Sequence, residues 1–249
     1  MGPLKSIFTS ASFILLAAMP AYAKDLHPQD RVLTPQQISI DTVLAKEAYE
    51  RIHPGYSRYT EKAALDVSWE AITRKANAQN GLTLGAFYIE IQNVLSNIRC
   101  DHTKAELPKA IAKDRNVTPV YLPMIWRVID GRAIIERPGE TGLNFGDQIV
   151  KIDGRSIGEM MDEVRQLIPA DGDTQFVRDI HMGASLEFMG GAIDHFGALL
   201  WDINPQASLE IKSPNGTIKT VLVDRIIHKD WKNLLLGERA GTDLSLIHI

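Results

Sequence analysis

The sequence contains a single cysteine, Cys100, among 249 residues, so no disulfide can form within the chain and the fold must be held by its core. Positive charge is also scarce: 27 lysines and arginines stand against 31 aspartates and glutamates, and the formal net charge is −4. Proteins that bind nucleic acid present basic surfaces, so this balance argues against a nucleic-acid partner. The sequence has no internal repeat and no low-complexity tract.

The short motifs of several enzyme classes are missing as well. The sequence has no Gly-x-Ser-x-Gly turn of the α/β-hydrolases, no His-Glu-x-x-His zinc-binding helix and no glycine loop that cradles phosphate. We therefore expect neither a metal ion nor a cofactor in this chain.

Residues 1–23 have the anatomy of a secretion signal. Lys5 supplies the positive start, an apolar run covers residues 7–19, and Ala21-Tyr22-Ala23 matches the cleavage pattern. The run is shorter than the roughly 20 residues that span a bilayer, and no cysteine near the cleavage point could carry a lipid anchor. We predict an exported bacterial protein, periplasmic or secreted, with net charge −5 after cleavage and no stable membrane insertion. The alternative is a buried helix of a cytosolic domain.

The last six residues, 244–249, read LSLIHI. This string resembles the translation of a transposon end that is used to build sequencing libraries. We interpret it as a sequencing artefact that interrupts the natural reading frame near Asp243, so the true protein is expected to continue. The alternative is a natural apolar C-terminus.

The first part of the mature chain predicts three amphipathic helices. Thr34 and Gln37 form a capping box at the start of the first helix, and the turn His53-Pro54-Gly55 ends it. A second helix is predicted over residues 61–78, and a third begins after Thr83 with an apolar stripe on one face. Three such helices with short loops predict a small helical domain.

Composition then shifts to short apolar runs separated by turn residues, which is typical of β-strands. Asp130-Gly131 divides a strand pair within residues 120–136, and Pro214-Asn215-Gly216 predicts a hairpin. A longer helical insert is expected over residues 174–200. The chain is therefore predicted to be α+β, with a three-helix domain followed by a partly open β-barrel that carries a helical insert.

The most informative stretch is residues 142–157, GLNFGDQIVKIDGRSI. Gly146-Asp147 and Asp153-Gly154 predict tight turns on either side of an apolar strand. Ser156 and Glu159 predict a capping box at the start of the next helix. The pattern resembles the carboxy-terminal half of a PDZ domain in the form found in bacterial proteases, so the barrel is expected to be PDZ-like.

The order of parts resembles the amino-terminal portion of a tail-specific, or C-terminal processing, serine peptidase, a group related to the tricorn core proteases. The resemblance rests on the exported helical domain with His53-Pro54-Gly55, then Asp101-His102-Thr103 ahead of Leu107-Pro108, and then GDQIVKIDG, and it covers roughly residues 41–223. It implies a serine nucleophile with a lysine as general base, both in an α/β domain beyond the PDZ-like unit. No serine here matches that nucleophile motif, so we assign no catalytic residue.

The PDZ resemblance implies that a peptide adds as a strand to a sheet edge. Relatives hold the peptide's terminal carboxylate in a glycine-rich loop, but at the matching place this chain has no glycine, and Pro123 has no N–H to donate. We instead predict an apolar pocket that binds apolar C-terminal residues of polypeptides weakly; its side chains are Leu122, Met124 and Trp126. The alternative is a groove that only covers the active site.

The segment Cys100-Asp101-His102 places a thiol near an imidazole. In an extended segment, residues at i and i+2 point to opposite faces, which disfavours a nucleophile–base pair. We interpret the segment as a turn that ends a helix, in which polar side chains bond backbone groups: Asp101, His102 and Thr103.

Four other side chains can ligate metals: His181, Glu187, Asp194 and His195. The two histidines are fourteen positions apart with Gly190-Gly191 between them, whereas zinc sites favour short fixed spacings. We interpret these residues as a polar helix face.

The expected function is that of the non-catalytic part of an exported serine endopeptidase that acts on polypeptides. Two alternatives are a stand-alone periplasmic peptide-binding module and a small hydrolase that uses Cys100 and His102. The expected divisions are a signal peptide (1–23), a helical domain (24–112), a PDZ-like domain (113–225), the start of a linker (226–243) and the artefact (244–249).

Overall fold

The computed structural model describes residues 27–237, so the predicted secretion signal and the LSLIHI end lie outside the described residues. The described chain is α+β. Its helices are α1 (Pro35–Ile52), α2 (Lys62–Ala78), α3 (Leu84–Asn97), α4 (Lys109–Asp114), α5 (Ile157–Arg165), α6 (Gln175–Met182), α7 (Ala192–Leu200) and α8 (His228–Leu236). Its strands are β1 (Val32–Leu33), β2 (Leu82–Thr83), β3 (Ile125–Ile129), β4 (Arg132–Arg137), β5 (Gln148–Ile152), β6 (Arg155–Ser156), β7 (Gln206–Lys212) and β8 (Ile218–Asp224). None of these helices is both long and apolar enough to cross a membrane.

Helices α1, α2 and α3 form where the sequence pattern predicts them. The Thr34 hydroxyl accepts the backbone N–H of Gln37 at 3.3 Å, and the Gln37 side chain accepts the N–H of Thr34 at 2.9 Å. The Trp69 indole donates to the Tyr56 hydroxyl at 2.9 Å inside the core that the helices share. That core includes Ile38, Leu65, Trp69, Ile72 and Leu95.

The second part of the chain is built on an antiparallel sheet in the order β3-β4-β5-β7-β8, with β6 paired to β5. The sheet stays open, because β3 and β8 do not pair with each other in the described part of the chain. An isolated antiparallel bridge between Tyr121 and Ile226 joins the segments beside them. In the described residues, the sheet that was predicted as a partly open barrel is an open antiparallel sheet.

The inner face of the sheet is apolar, as the alternation along β7 shows: Ala207, Leu209 and Ile211 are buried, and the residues between them are not. Helix α5 packs on β5 and on α7. Tyr88 from α3 joins the same core, so the helical part and the sheet share buried contacts. Each large apolar side chain buried in this way contributes about 1.5–3 kcal/mol.

Some elements differ from the sequence-based expectation. Ser156 precedes α5 without a side-chain capping bond, because the chain enters the helix directly from β6, so the predicted capping box is not formed. The expected linker at 226–243 contains α8 within its described part, with Trp231 buried against Tyr121 and Ile125. A helix of nine residues is short, so its sequence pattern is hard to distinguish from that of a linker.

Candidate functional site

The edge of the sheet at β3 is one of the two edges where an added strand could pair; the other is at β8. Because β3 ends the strand order, one of its sides has no strand partner. Helix α6 packs against β3 and α5, and the glycine-rich segment that follows α6 lies against the same region. A Cβ added to Gly183 would overlap the carbonyl oxygen of Trp126 and lie 2.8 Å from its indole, and one added to Gly190 would overlap the Tyr121 ring. The glycine-rich segment after α6 therefore packs closely against Trp126 of β3 and against Tyr121.

The side chains predicted to form a peptide pocket lie inside the core. Leu122, Met124 and Trp126 are at most 1% exposed and belong to the cluster that lines the sheet. Large apolar side chains on the inner face of a sheet are stabilised by burial, and none of these three is open to solvent in this structure. Binding of substrate by these three residues stays a prediction.

The motif residues near position 101 connect two distant segments. The Gly55 N–H donates to His53 Nδ1 at 3.1 Å, which leaves His53 Nε2 to donate to the Thr103 hydroxyl at 3.1 Å. The turn predicted here is present, since the Thr103 N–H donates to the Cys100 carbonyl at 3.0 Å. The Thr103 side chain bonds the imidazole of His53, whereas the sequence-based interpretation gives it a backbone partner.

The neighbouring residues of that motif do not form a catalytic pair. The Asp101 N–H donates to the Asp171 carboxylate at 2.9 Å. His102 is exposed, whereas Cys100 packs against the helical core. No hydrogen bond joins His102 to Cys100 in the described structure, so the geometry gives no support to a hydrolase built on these two residues.

The predicted glycine turns hold neighbouring strands together. Gly146 and Gly154 have φ of 84° and 81°, in the region that glycine favours. The buried Asp147 carboxylate accepts the Asn144 N–H at 3.0 Å. Next to Gly154, the Asp153 carboxylate accepts a backbone N–H from β7 at 2.8 Å.

The predicted polar face of α7 is wrong for two of its residues, because Asp194 and His195 point into the core and are 5% and 4% exposed. The Asp194 carboxylate accepts the Leu122 N–H at 3.3 Å and lies 4.0 Å from the Arg225 guanidinium. Burial raises the pKa of Asp194 to about 6, although Arg225 and the Leu122 N–H act in the opposite direction.

Arg225 is the central contact of this buried polar group, and the sequence reasoning did not single it out. Its guanidinium donates to the Asp153 carboxylate at 2.9 Å and to the carbonyl oxygens of Asn204 and Val120 at 3.0 and 3.2 Å. The partners come from positions up to 105 residues away, so no local pattern could have shown them. The group borders a small cleft whose remaining lining is largely apolar.

His195 forms a second buried polar pair. Its Nε2 lies 2.9 Å from the Tyr88 hydroxyl, and its Nδ1 has no hydrogen-bond partner among the described residues. Burial lowers the pKa of His195 to about 3 and raises the pKa of Tyr88, so both side chains are neutral near pH 7. The pair joins α3 to α7 beside a cavity bordered by Lys104 and Phe188.

The other two candidate metal ligands contact a serine. Ser185 Oγ lies 2.8 Å from His181 Nδ1, and His181 Nε2 lies 3.4 Å from the Glu187 carboxylate. The contacts have the order of a serine–histidine–acid triad, but Ser185 is only 7% exposed and accepts the Glu187 N–H at 3.2 Å. Glu187 also pairs with Lys104. Across residues 27–237, no three metal-ligating side chains are grouped as a metal site.

Comparisons with known proteins bear on the fold. No family model and no curated protein matches the sequence. The structure is similar to those of CPAF, a serine protease: mature CPAF complexed with lactacystin (TM-score 0.52, 14% identity), mature CPAF (0.51, 15%) and a serine-to-alanine mutant of CPAF (0.50, 14%). Each match covers 76% of this chain and 34% of the CPAF chain. This chain therefore matches about a third of the length of CPAF, and at this identity the similarity shows a shared fold over the matched part.

Proposed function

We propose that this chain is the non-catalytic, substrate-recognising part of a larger exported serine endopeptidase of the tail-specific type. The observation that carries the proposal is the fold shared with CPAF, which covers 76% of this chain but only 34% of CPAF. In this proposal the helices up to residue 112 form one unit, and residues 113–225 form a PDZ-like unit that recruits or gates polypeptide substrates.

The side chains of the described region support a non-catalytic role. Ser185, His181 and Glu187 are in contact, but the serine hydroxyl is buried and already accepts a backbone hydrogen bond. A nucleophile has to reach a substrate carbonyl, and these contacts instead hold a turn in place. Peptide-bond hydrolysis is therefore assigned to a serine and a lysine in the part of the protein that this chain does not contain.

The alternative hypothesis is a stand-alone periplasmic peptide-binding module. It is less favoured because the similar solved structures are those of a serine protease that extends well beyond the matched region. A hydrolase based on Cys100 is less favoured because Cys100 has no catalytic partner within hydrogen-bond distance in the described residues.

Hydrolysis of labelled casein tests the proposal. The experiment compares this chain, its Ser185→Ala variant, its Cys100-alkylated form and the product of the gene with its reading frame extended. We expect hydrolysis only by the extended product. Activity of this chain that is lost on Ser185→Ala or on alkylation would refute the non-catalytic assignment, and an inactive extended product would favour the stand-alone module.

A further inference from the structure

Three neighbouring polar side chains each have a buried atom with no hydrogen-bond partner among residues 27–237. These atoms are Nη2 of Arg115, the hydroxyl oxygen of Tyr121 and Nε2 of His228. Arg115 is 2% exposed and Tyr121 is fully buried. The large majority of buried polar side-chain atoms in folded proteins have a partner. Three such atoms in neighbouring side chains therefore point to a partner that the described polypeptide does not supply.

The backbone brings these three side chains together from separate parts of the chain. The His228 N–H donates to the Arg115 carbonyl oxygen at 3.0 Å, which joins the start of α8 to the end of α4. The ring centroids of Tyr121 and His228 are 5.4 Å apart, and the Trp231 ring lies 6.3 Å from each of them. The charge of Arg115 acts on Tyr121. We call Arg115, Tyr121 and His228 the Arg115 cluster.

Arg115 places a positive charge inside this cluster, because a guanidinium stays protonated in proteins. The carboxylates that act on it are those of Asp114 and Asp194, and in the described part of the chain neither forms an ion pair with it. Asp114 instead accepts the Thr118 hydroxyl at 2.9 Å, and Asp194 lies 4.0 Å from Arg225. Burying a charge is costly unless it is paired. The cluster therefore favours a negatively charged partner.

We propose that the Arg115 cluster is a binding site for one small oxyanion, a phosphate or a carboxylate group, at the contact between α4 and α8. The planar guanidinium donates to oxyanions through a fork of N–H groups. The Tyr121 hydroxyl can donate to the same group, and so can a neutral imidazole that carries its proton on Nε2 of His228. A water molecule could satisfy these hydrogen bonds, but it would leave the charge of Arg115 unpaired. The charge therefore decides for an anion.

The folding equilibrium reports binding at this site, because the anion is enclosed as α8 packs over the cluster and Trp231 is buried against Tyr121. A ligand that binds only the folded state raises the folding equilibrium constant by the factor 1 + [L]/Kd. Above the Kd, each tenfold rise in free anion should therefore raise this constant about tenfold. The measurement involves no hydrolysis, so the oxyanion site and the proposed peptidase stand or fall separately.

Urea denaturation of this chain, refolded beforehand in buffer free of oxyanions, tests the inference. Sodium phosphate and sodium acetate are titrated separately at constant ionic strength. The variant is Arg115→Met, which removes the charge, and the matched control is Lys113→Met, which removes an exposed charge from α4. We expect at least one of the two anions to stabilise the wild type and Lys113→Met alike, and neither anion to stabilise Arg115→Met. General effects of salt act on all three proteins.

A second variant, Tyr121→Phe, keeps the ring and removes one donor, so it tests the site even if Arg115→Met does not fold. Its Kd for the anion should be weaker about tenfold or more. Without anion it should be at least as stable as the wild type, because the hydroxyl has no other partner in the described residues. Three results would each overturn the inference: no stabilisation of the wild type, equal stabilisation of Arg115→Met, or an unchanged Kd in Tyr121→Phe.

Discussion

Replacing Asp194 with asparagine should change how the stability of this protein depends on pH. The Asp194 carboxyl is 5% exposed, and burial raises its pKa from an ordinary value of 3.8 to about 6. The folded protein therefore keeps this proton to a higher pH than the unfolded chain does. As a result, the contribution of Asp194 to the free energy of unfolding is greatest below about pH 4, where the group is protonated in both states. This contribution is lost as the pH rises to about 6.

The size of the effect follows from the shift. One pKa unit corresponds to about 1.4 kcal/mol, so a shift of this size amounts to about 3 kcal/mol. Asparagine carries no charge at either pH, and its side-chain oxygen can still accept the Leu122 N–H. The free energy of unfolding of Asp194→Asn minus that of the wild type should therefore rise by about 3 kcal/mol between pH 4 and pH 7. The attraction of the ionised carboxylate to Arg225 is already contained in the pKa of about 6, so it needs no separate correction.

Urea denaturation at pH 4, 5, 6 and 7, followed by circular dichroism, measures this difference. The matched control is Asp202→Asn, an exposed residue that lines the same cleft, and its difference from the wild type should not grow over the interval. If the free energy of unfolding of Asp194→Asn minus that of the wild type stays constant or falls from pH 4 to pH 7, burial does not destabilise the ionised carboxylate and the reasoning is refuted.

Two further predictions use the same urea assay at pH 7. Gly183→Ala should cost more than about 2 kcal/mol because its Cβ would overlap the Trp126 carbonyl, whereas Gly158→Ala, whose Cβ would meet nothing closer than 3.6 Å, should be neutral or stabilising by up to about 1 kcal/mol. Equal effects of the two substitutions would contradict the close packing of Gly183 against Trp126. Tyr88→Phe should cost about 1–3 kcal/mol because His195 would lose the bond to its Nε2, and an unchanged midpoint would contradict that bond's role.

Much of the secondary structure could be predicted because its signals are local. The capping box at Thr34 lies within four residues, and the turn at Asp130-Gly131 is a dipeptide between strands of five and six residues. Such patterns fix where a helix or hairpin begins regardless of the rest of the chain.

The buried polar groups could not be predicted because their partners are distant. Tyr88 and His195 are 107 residues apart, and Asp194 bonds the backbone 72 residues earlier. In the sequence, two adjacent polar residues on α7 look like a solvated face, and only the packing of α7 against α3, α5 and α6 buries them. The packing of Gly183 against Trp126 could not be predicted for the same reason, since the two residues are 57 positions apart.

The bridge between Tyr121 and Ile226 limits how the chain can be divided. The Tyr121 N–H and carbonyl both bond to Ile226, and Trp231 is buried beside them. A protein shortened to residue 225 would expose the aromatic side chains that Trp231 covers and would leave the Val120 N–H and both backbone groups of Tyr121 without these partners. Exposed apolar surface and unpaired backbone groups promote self-association. A separately folding version of the 113–225 unit is therefore expected to need α8 as well, because Trp231 completes the small core at Tyr121 and Ile125.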